Sequence, residues 1–194
     1  MRVKGIKEDS IMIMIISFLG FIVEELWMLF RYSIIDNRNM LFPFLLGYGL
    51  FVVVLYHVIG IPKKILNKYK FDKTKSFIVY MIICFFLVSF GEILLGIFVE
   101  KTGHFYYWDY SSIPLHFTKY TSVPTSLGFA LIITLFMNYA YVPLLKRIKK
   151  NDKKISAFVI GVIMLLLVID FNVSFKNMYS NNGKNDLWSI NFKK

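Results

Sequence analysis

Five acidic residues lie inside apolar stretches of the chain, where an ionised side chain is costly. They are Glu24, Glu25, Glu92, Glu100 and Asp170. A charged carboxylate near the centre of a bilayer costs about 2.5–3.5 kcal/mol, so it needs a cation, water or protonation. Carboxylates in such positions can bind a cationic group or perform acid–base chemistry. They can also pair with basic residues merely to fix helix packing.

Membrane-spanning helices are the elements that must hold these acids. Hydrophobic residues make up 57% of the 194 residues and the mean hydropathy is +0.58, which is too apolar for a soluble domain of this size. Five apolar windows reach the roughly 20 residues that a span needs. They cover residues 11–30, 41–60, 76–99, 123–145 and 155–172. We therefore predict an all-α fold, a polytopic bundle of about five transmembrane helices in a single membrane domain, 1–194.

The prolines and the basic residues agree with this division. Pro43 and Pro124 fall in the predicted first turns of the second and fourth helices, and Pro62 and Pro143 near their ends. Fifteen Lys and Arg residues fall on one predicted side and eight on the other. The side richer in basic residues is normally cytoplasmic, so we predict a multi-pass cell-membrane protein with its N-terminus inside and its C-terminus outside.

This orientation places the five acids together in the outer half of the bilayer. Glu92, Gly96 and Glu100 share one helix face, and Glu24 and Arg31, seven residues apart, are nearly eclipsed. We expect a pocket near the outer surface, walled by Glu24 or Glu25 together with Arg31, Glu92 and Glu100. The alternative is that the acids only pair with Arg31, Arg38 and Lys101 to fix helix packing.

The outer loop 101–122 is rich in aromatic residues, including Trp108 and Tyr110. Amphipathic aromatic side chains prefer the headgroup region, so an interfacial belt is the simpler interpretation. A lid over the acidic pocket is the alternative, and Asp109 favours it because a belt does not need a charge. His104 and His116 share this loop, although histidines in such loops are more often interfacial than catalytic.

Several classes of function lack support in the sequence. The chain has no P-loop, H-E-x-x-H, C-x-x-C or G-x-S-x-G pattern, so we expect no cofactor and no metal and identify no catalytic residue. The formal charge of +11 reflects topology rather than nucleic-acid binding, because the lysines lie between apolar segments. The basic loops 62–75 and 146–154 indicate a cytoplasmic position, and they also suit anionic lipid headgroups.

The first three helices resemble the putative ABC-transporter type IV membrane proteins, also called CmpB-like. The matching residues are Phe18-Leu19-Gly20-Phe21, Glu24, Asn37-Arg38-Asn39-Met40-Leu41, Pro43-Phe44, Tyr48-Gly49, Glu92, Glu100-Lys101, Trp108-Asp109-Tyr110-Ser111 and Pro114. The resemblance covers about residues 15–145, and the W-D-Y-S run after E-K is its most specific part. It implies that Asn37 and Arg38 belong with the acids among the site residues.

The chain departs from the family pattern at four places, one of which is Leu127, where the family has tryptophan before the glycine that corresponds to Gly128. Asn39 stands where the family has glycine, and one residue is missing before Pro43. The N-G-R-I segment expected after Pro114 is not recognisable, and Lys119 is the residue that can supply its charge. The resemblance implies transport, and a permease of this kind would need a separate ATPase subunit because the chain has no nucleotide-binding motif.

Two main functions are compatible with these features. The first is a small permease-like or transport-accessory component whose acidic pocket receives a cationic or amphiphilic substrate, with membrane lipids, an ATPase and further copies of the chain as partners. The second is a membrane-embedded enzyme or binding protein acting on lipid or cell-envelope precursors. There Glu92 or Glu24 would be the acid or base, and Arg31 or Arg38 would hold a phosphate. A structural assembly partner is a third alternative.

Overall fold

Five helices in the described part of the chain are long and apolar enough to cross a membrane. The structure is a computed structural model that describes residues 4–151 and 156–192. The candidate spans are Gly5–Tyr32, Leu46–Ile65, Lys73–Gly103, Val123–Lys150 and Ala157–Ser180. The prediction of an all-α bundle of five spanning helices is therefore confirmed, and the orientation of the termini stays a prediction. Ile155, the predicted start of the fifth helix, lies outside the described residues, as do Arg2, Lys153, Lys154, Lys193 and Lys194.

In the described residues the chain forms seven α-helices, with three short strands between helices and a fourth after the last helix. The helices are α1 (Lys4–Tyr32), α2 (Leu46–Val58), α3 (Pro62–Tyr69), α4 (Lys73–Gly103), α5 (Val123–Leu135), α6 (Tyr141–Lys150) and α7 (Ala157–Ser180). The strands are β1 (Ile34–Asp36), β2 (His116–Thr118), β3 (Thr121–Ser122) and β4 (Ser189–Asn191). β1 pairs antiparallel with β4, and β2 pairs antiparallel with β3. None of these short strands was predicted from the sequence.

The second span differs from its predicted limits. Its first helix begins at Leu46 rather than at residue 41, so Pro43 lies in the preceding irregular segment and not in a first turn. Pro62 begins α3 instead of ending the second helix. Its missing amide hydrogen is tolerated there because the first helical amides have no intrahelical partner. Gly60, with φ of +89°, separates α2 from α3.

The fourth span continues past Pro143 to Lys150. A π-helical turn over Phe136–Ala140 joins α5 to α6 directly before this proline. Proline has no amide hydrogen and its ring collides with the carbonyl four residues earlier. A wider π turn is one way in which a helix absorbs such a break, so the span is not interrupted at Pro143.

The chain divides into two compact units, which are described separately. The first unit comprises residues 1–55 and 145–194, and the second comprises residues 56–144. In the first unit α1 contacts α7 and the β1–β4 pair. In the second unit α4 contacts α3, α5 and the β2–β3 pair.

Close packing of α1 with the start of α2 organises the first unit. The space that a side chain at Gly49 would occupy is filled by the Ile13 carbonyl and Ser17. The Leu45 amide also donates to the Ser17 carbonyl oxygen at 3.1 Å. Because glycine has no β-carbon, it allows this close approach of two helices.

Large apolar side chains remain exposed along the spanning helices. On α4, Phe86 is 64% exposed and Phe90 is 61% exposed, and on α7 Phe158 is 79% exposed. A soluble monomer rarely exposes apolar surface on this scale, whereas lipid tails solvate it. This distribution agrees with helices that face a bilayer.

Candidate functional site

In the first unit, Glu24 lies at the centre of a charged cluster. Its Oε1 accepts a short hydrogen bond from the Tyr48 hydroxyl, and its Oε2 lies 3.5 Å from Nη2 of Arg38. The other terminal nitrogen of Arg38, Nη1, lies 3.7 Å from Oδ1 of Asp36. The structure thus brings Glu24 and Arg38 together, as the packing alternative expected, with Tyr48 as an additional partner.

A glycine on α1 makes room for the tyrosine in this cluster. A β-carbon at Gly20 would lie 2.7 Å from Cγ of Tyr48, so a larger residue would displace the ring. Gly20 precedes Glu24 by four residues and therefore lies one turn earlier on the same face of α1. This close contact directs the Tyr48 hydroxyl to the carboxylate of Glu24.

Glu25 and Arg31, also predicted site residues, have different surroundings. Oε2 of Glu25 accepts the Asp36 amide at 3.0 Å, while its Oε1 is buried and has no hydrogen-bond partner among the described residues. Arg31 is exposed, and its guanidinium lies 5.9 Å from the centre of the Tyr32 ring. Arg38 therefore takes the place beside Glu24 that helix geometry predicted for Arg31.

Asn37 is a buried connector between the two ends of the chain. It is 3% exposed, and its Nδ2 donates to the carbonyl oxygens of Met40 and Asn185, each at 2.9 Å. Its Oδ1 accepts the Leu187 amide at 3.1 Å. All three of these hydrogen bonds go to backbone atoms, so the side chain of Asn37 holds the β1 loop and the C-terminal tail together.

Asp170 satisfies backbone amides in the segment that precedes α2. Its carboxylate accepts the Leu41 amide at 2.9 Å, the Phe42 amide at 3.0 Å and the Ser174 hydroxyl at 2.9 Å. Asp170 is only 2% exposed. Backbone amides in an irregular segment have no carbonyl acceptors within a helix, and the Asp170 carboxylate supplies acceptors instead. This explains why an acid is present in the apolar helix α7.

In the second unit, Glu92 lies within a cluster of hydroxyl groups. Its Oε2 accepts hydrogen bonds from Oγ1 of Thr121 at 2.6 Å and from Oγ of Ser126 at 3.1 Å. These two hydroxyl oxygens are 2.7 Å apart, and both side chains are fully buried. We call Glu92, Thr121 and Ser126 the carboxylate–hydroxyl cluster.

The start of α5 positions the two hydroxyls. Ser122 caps this helix by accepting the Thr125 amide at 3.4 Å, and Pro124 occupies its first turn. Glu92 lies eleven residues before the end of α4 at Gly103, which corresponds to about 16 Å along the helix axis. Strand β3 and the N-terminus of α5 therefore lie well below the end of α4, beside the middle of a membrane span.

Glu100 pairs with Lys119 rather than with its neighbour Lys101. Nζ of Lys119 lies 2.8 Å from Oε1 of Glu100 and 4.2 Å from the centre of the Tyr106 ring. The hydrogen bond to Glu100 and the contact with Tyr106 raise the pKa of Lys119. Lys119 is thus the basic partner of Glu100, and its correspondence to the charge of the missing N-G-R-I segment stays a prediction.

The Trp-Asp-Tyr segment of the loop 101–122 is held against the β2–β3 pair. Nε1 of Trp108 donates to the carbonyl oxygen of Tyr120 at 2.7 Å, and the Tyr110 amide donates to that of Lys119 at 2.8 Å. Asp109 is exposed and accepts the Ser111 amide at 2.8 Å. Hydrogen bonds from Ser111 hold the pKa of the Asp109 carboxyl below its usual range. These contacts give the loop a defined structure. Neither of the two interpretations of its sequence, an interfacial belt or a lid, required such a structure.

The predicted acids therefore belong to two separate local environments. Glu24 and Glu25 lie in the first unit, and Glu92 and Glu100 lie in the second. The single pocket that would combine them stays a prediction. No group of three or more His, Cys, Asp or Glu residues in the described parts of the chain is arranged to hold a metal ion.

Sequence reasoning missed the hydroxyl partners of Glu92. Thr121, Ser122, Thr125 and Ser126 surround Pro124 at the start of an apolar window, a pattern typical of a helix N-terminus. That signal predicts a cap, but it does not say which helix the other hydroxyls contact. Tyr48 belonged to the family pattern, yet nothing in its spacing indicated Glu24 as its partner.

Comparison with known protein families agrees with the resemblance that the sequence motifs indicated. The model of the family described as putative ABC-transporter type IV matches residues 11–175. The match extends beyond the 15–145 of the sequence resemblance and includes most of α7. No curated protein and no solved structure matches the chain. Because the family model covers most of the sequence and five helices can cross a membrane, this chain belongs to the putative ABC-transporter type IV family of membrane proteins.

Proposed function

We propose that this protein is the membrane-embedded component of an ABC-type transport system and that the carboxylate–hydroxyl cluster binds its substrate. The observation that carries the proposal is the carboxylate of Glu92, held by two hydroxyls inside a membrane span. Acids at this depth are costly and commonly mark ion or substrate pathways. A cationic or amphiphilic substrate fits best, because a carboxylate in a weakly solvating medium attracts positive charge strongly.

The backbone next to Glu92 supports a role in transport. Strand β3, which directly precedes α5, brings non-helical backbone to the depth of Glu92. At membrane depth such backbone is tolerated where it is buried in protein or lines a cavity, and transporters build binding sites from interrupted helices of this kind. Glu92 is half-buried, so part of its side chain remains accessible to a ligand.

Energy for transport would come from another polypeptide. The sequence has no P-loop, so a separate ATPase subunit would bind and hydrolyse the nucleotide. Five spans form a narrow bundle, and association with further copies of the chain would widen the pathway. Both partners belong to this proposal.

A binding experiment with a lipophilic cation tests the substrate site. Tetraphenylphosphonium is the probe, and its binding to the protein in lipid nanodiscs is measured by equilibrium dialysis. Glu92→Gln should weaken binding by roughly tenfold or more while leaving the melting temperature nearly unchanged, because the charge is lost and the shape is kept. Glu8→Gln is the matched control, since Glu8 is another acid in a spanning helix and lies in the other unit.

Two outcomes would contradict this assignment. Equal binding by Glu92→Gln and Glu8→Gln would remove Glu92 from the substrate site. Loss of folded protein in both Glu92→Gln and Ser126→Ala would support a packing role instead. A second measurement addresses the ATPase: the complex purified in mild detergent should hydrolyse ATP, and tetraphenylphosphonium should stimulate hydrolysis in the wild type but not in Glu92→Gln.

Arg38 favours a second candidate function, recognition of a lipid or envelope precursor through its phosphate. Its two contacts with carboxylates are long, at 3.5 and 3.7 Å, and its Nε is buried without a hydrogen-bond partner among the described residues. A guanidinium held this loosely is able to form the paired hydrogen bonds that phosphate accepts. Phosphatidic acid should bind Arg38→Lys several-fold more weakly than Arg31→Lys, whose guanidinium lies outside the cluster. Equal binding by the two variants would exclude this candidate.

A further inference from the structure

A groove of about 310 Å³ lies in the second unit and is lined by none of the residues of the carboxylate–hydroxyl cluster. It is lined by Tyr56, His57, Gly60, Ile61, Lys64 and Val142. The basic residue distribution predicts that this end of the unit is cytoplasmic. The proposed function uses none of these residues.

The floor of the groove is a turn fixed from below by α4. The Tyr80 hydroxyl donates to the carbonyl oxygen of Gly60 at 2.7 Å, and the Ser76 hydroxyl makes a short hydrogen bond to that of Pro62. Tyr80 and Ser76 are themselves buried. Because Gly60 has no side chain, the stem of Lys64 lies across it, where a β-carbon would come within 2.6 Å of Cδ. The groove is therefore a defined feature of the fold.

Its walls combine apolar, aromatic and basic groups. Ile61 and Val142 provide the apolar surface, and Tyr56 stacks on Tyr141 with ring centres 4.3 Å apart. His57 and Lys64 provide the polar groups, and no carboxylate lines the groove. Within the parts of the chain that the structure describes, no acidic side chain forms an ion pair with Lys64.

The surrounding surface has the same sign of charge. Helix α3 contains three lysines and no acidic residue. The nearest acid along the chain, Asp72, caps α4 and lies 3.7 Å from Nζ of Lys75. Val58, which follows the groove residue His57, is 73% exposed at the end of α2. An anionic group in the groove would therefore have basic surroundings, with apolar surface beside it.

We propose that this groove binds the headgroup phosphate of an anionic phospholipid. Lys64 supplies the charge that binds the phosphate, His57 supplies a second polar contact, and the apolar wall accommodates the glycerol region. Basic pockets between helices on the cytoplasmic side of membrane proteins are suited to such headgroups. A lipid fits better than free phosphate, because an inorganic ion would leave the apolar and aromatic walls without a partner.

Native mass spectrometry of the intact protein tests this proposal. The protein is released from nanodiscs of phosphatidylcholine with or without phosphatidylglycerol, and retained phosphatidylglycerol is counted. Lys64→Gln should weaken retention of the tightest phosphatidylglycerol by roughly tenfold. Lys63→Gln should change it less than about twofold, because Lys63 is exposed on the same helix but does not line the groove.

The control variant Lys63→Gln and competition by inorganic phosphate show whether the groove binds the lipid specifically. Equal losses in Lys64→Gln and Lys63→Gln would overturn the proposal in favour of diffuse surface charge. Displacement of phosphatidylglycerol by millimolar inorganic phosphate would assign the groove to a free anion and would equally overturn it. If Lys64→Gln lowers the yield of folded protein, His57→Gln provides the second test, and unchanged retention in that variant would contradict the proposed role of this histidine.

Discussion

The ring of Tyr120 packs directly on Gly96, in the space that a β-carbon at this position would fill. Gly96 lies one turn beyond Glu92 on α4, and Tyr120 directly precedes Thr121 of the carboxylate–hydroxyl cluster. Close approach of β3 to α4 at Gly96 therefore allows the Thr121 hydroxyl to reach the carboxylate of Glu92. The helix face that sequence periodicity identified has a specific role here, since its glycine admits the loop.

Gly96→Ala should destabilise the protein by about 1–3 kcal/mol, because Tyr120 is 7% exposed and has little room to move. Gly91→Ala is the matched control, since a β-carbon at Gly91 meets nothing within 4 Å. In an open helical position this change should instead stabilise by about 0.5–1 kcal/mol. Thermal unfolding in detergent measures both variants, and equal melting temperatures would contradict the packing of Tyr120 on Gly96.

Acid should loosen the loop 101–122 through Asp109. Hydrogen bonds from Ser111 lower the pKa of Asp109 below its ordinary value of 3.8, so they favour the folded loop above that value. This stabilisation is lost as the pH falls through the lowered pKa. Fluorescence of Trp108, with Trp27 and Trp188 replaced by phenylalanine, should change below pH 3.8 in the parent protein. The change should be smaller in Asp109→Asn, and an identical acid transition in both proteins would count against this role of Asp109.

Alkali should loosen the same loop through Lys119. Its hydrogen bond to Glu100 raises the pKa of Lys119 above the ordinary 10.5, so the stabilisation is complete below that value and is lost as the pH rises through the raised pKa. In the same tryptophan background, Trp108 fluorescence should therefore change above pH 10.5. Lys119→Met should already show the altered spectrum at neutral pH. A spectrum identical to that of the parent protein at pH 7 would show that the ion pair does not order the loop.

Asn185→Ala should release the C-terminal tail from the β1 loop. The buried side chain of Asn185 donates from Nδ2 to the Asn39 carbonyl oxygen at 2.9 Å and accepts from Nδ2 of Asn177 at 3.3 Å, so alanine removes both hydrogen bonds and leaves these partners unsatisfied. Limited proteolysis should cut the chain after Ser180 several-fold faster than in the wild type. Asp186→Ala is the control, because Asp186 is exposed in the same tail. Equal cleavage rates in the two variants would contradict this role of Asn185.

The sequence predicted the spans well because hydropathy depends on residues that are close together along the chain. Helix ends were harder to predict where distant residues compete for the backbone. Leu41 and Phe42 are apolar enough for a helix, yet their amides bind Asp170, more than a hundred residues away. The partners of the acids could not be predicted from the sequence either. Helix periodicity made Arg31 the expected neighbour of Glu24, but periodicity describes a single helix and does not include the loop that contains Arg38.

Asp170→Leu should destabilise the protein by about 2–3 kcal/mol even though it makes α7 more apolar. The substitution leaves the amides of Leu41 and Phe42 and the hydroxyl of Ser174 without their acceptor, and unsatisfied part-buried donors are costly. Asp170→Asn keeps one acceptor oxygen and should lose less. Asn172→Ala, an exposed change two residues away, should remain within about 0.5 kcal/mol of the wild type. Thermal unfolding in detergent ranks the three variants, and a stability of Asp170→Leu equal to that of Asn172→Ala would show that the irregular segment does not depend on this acid.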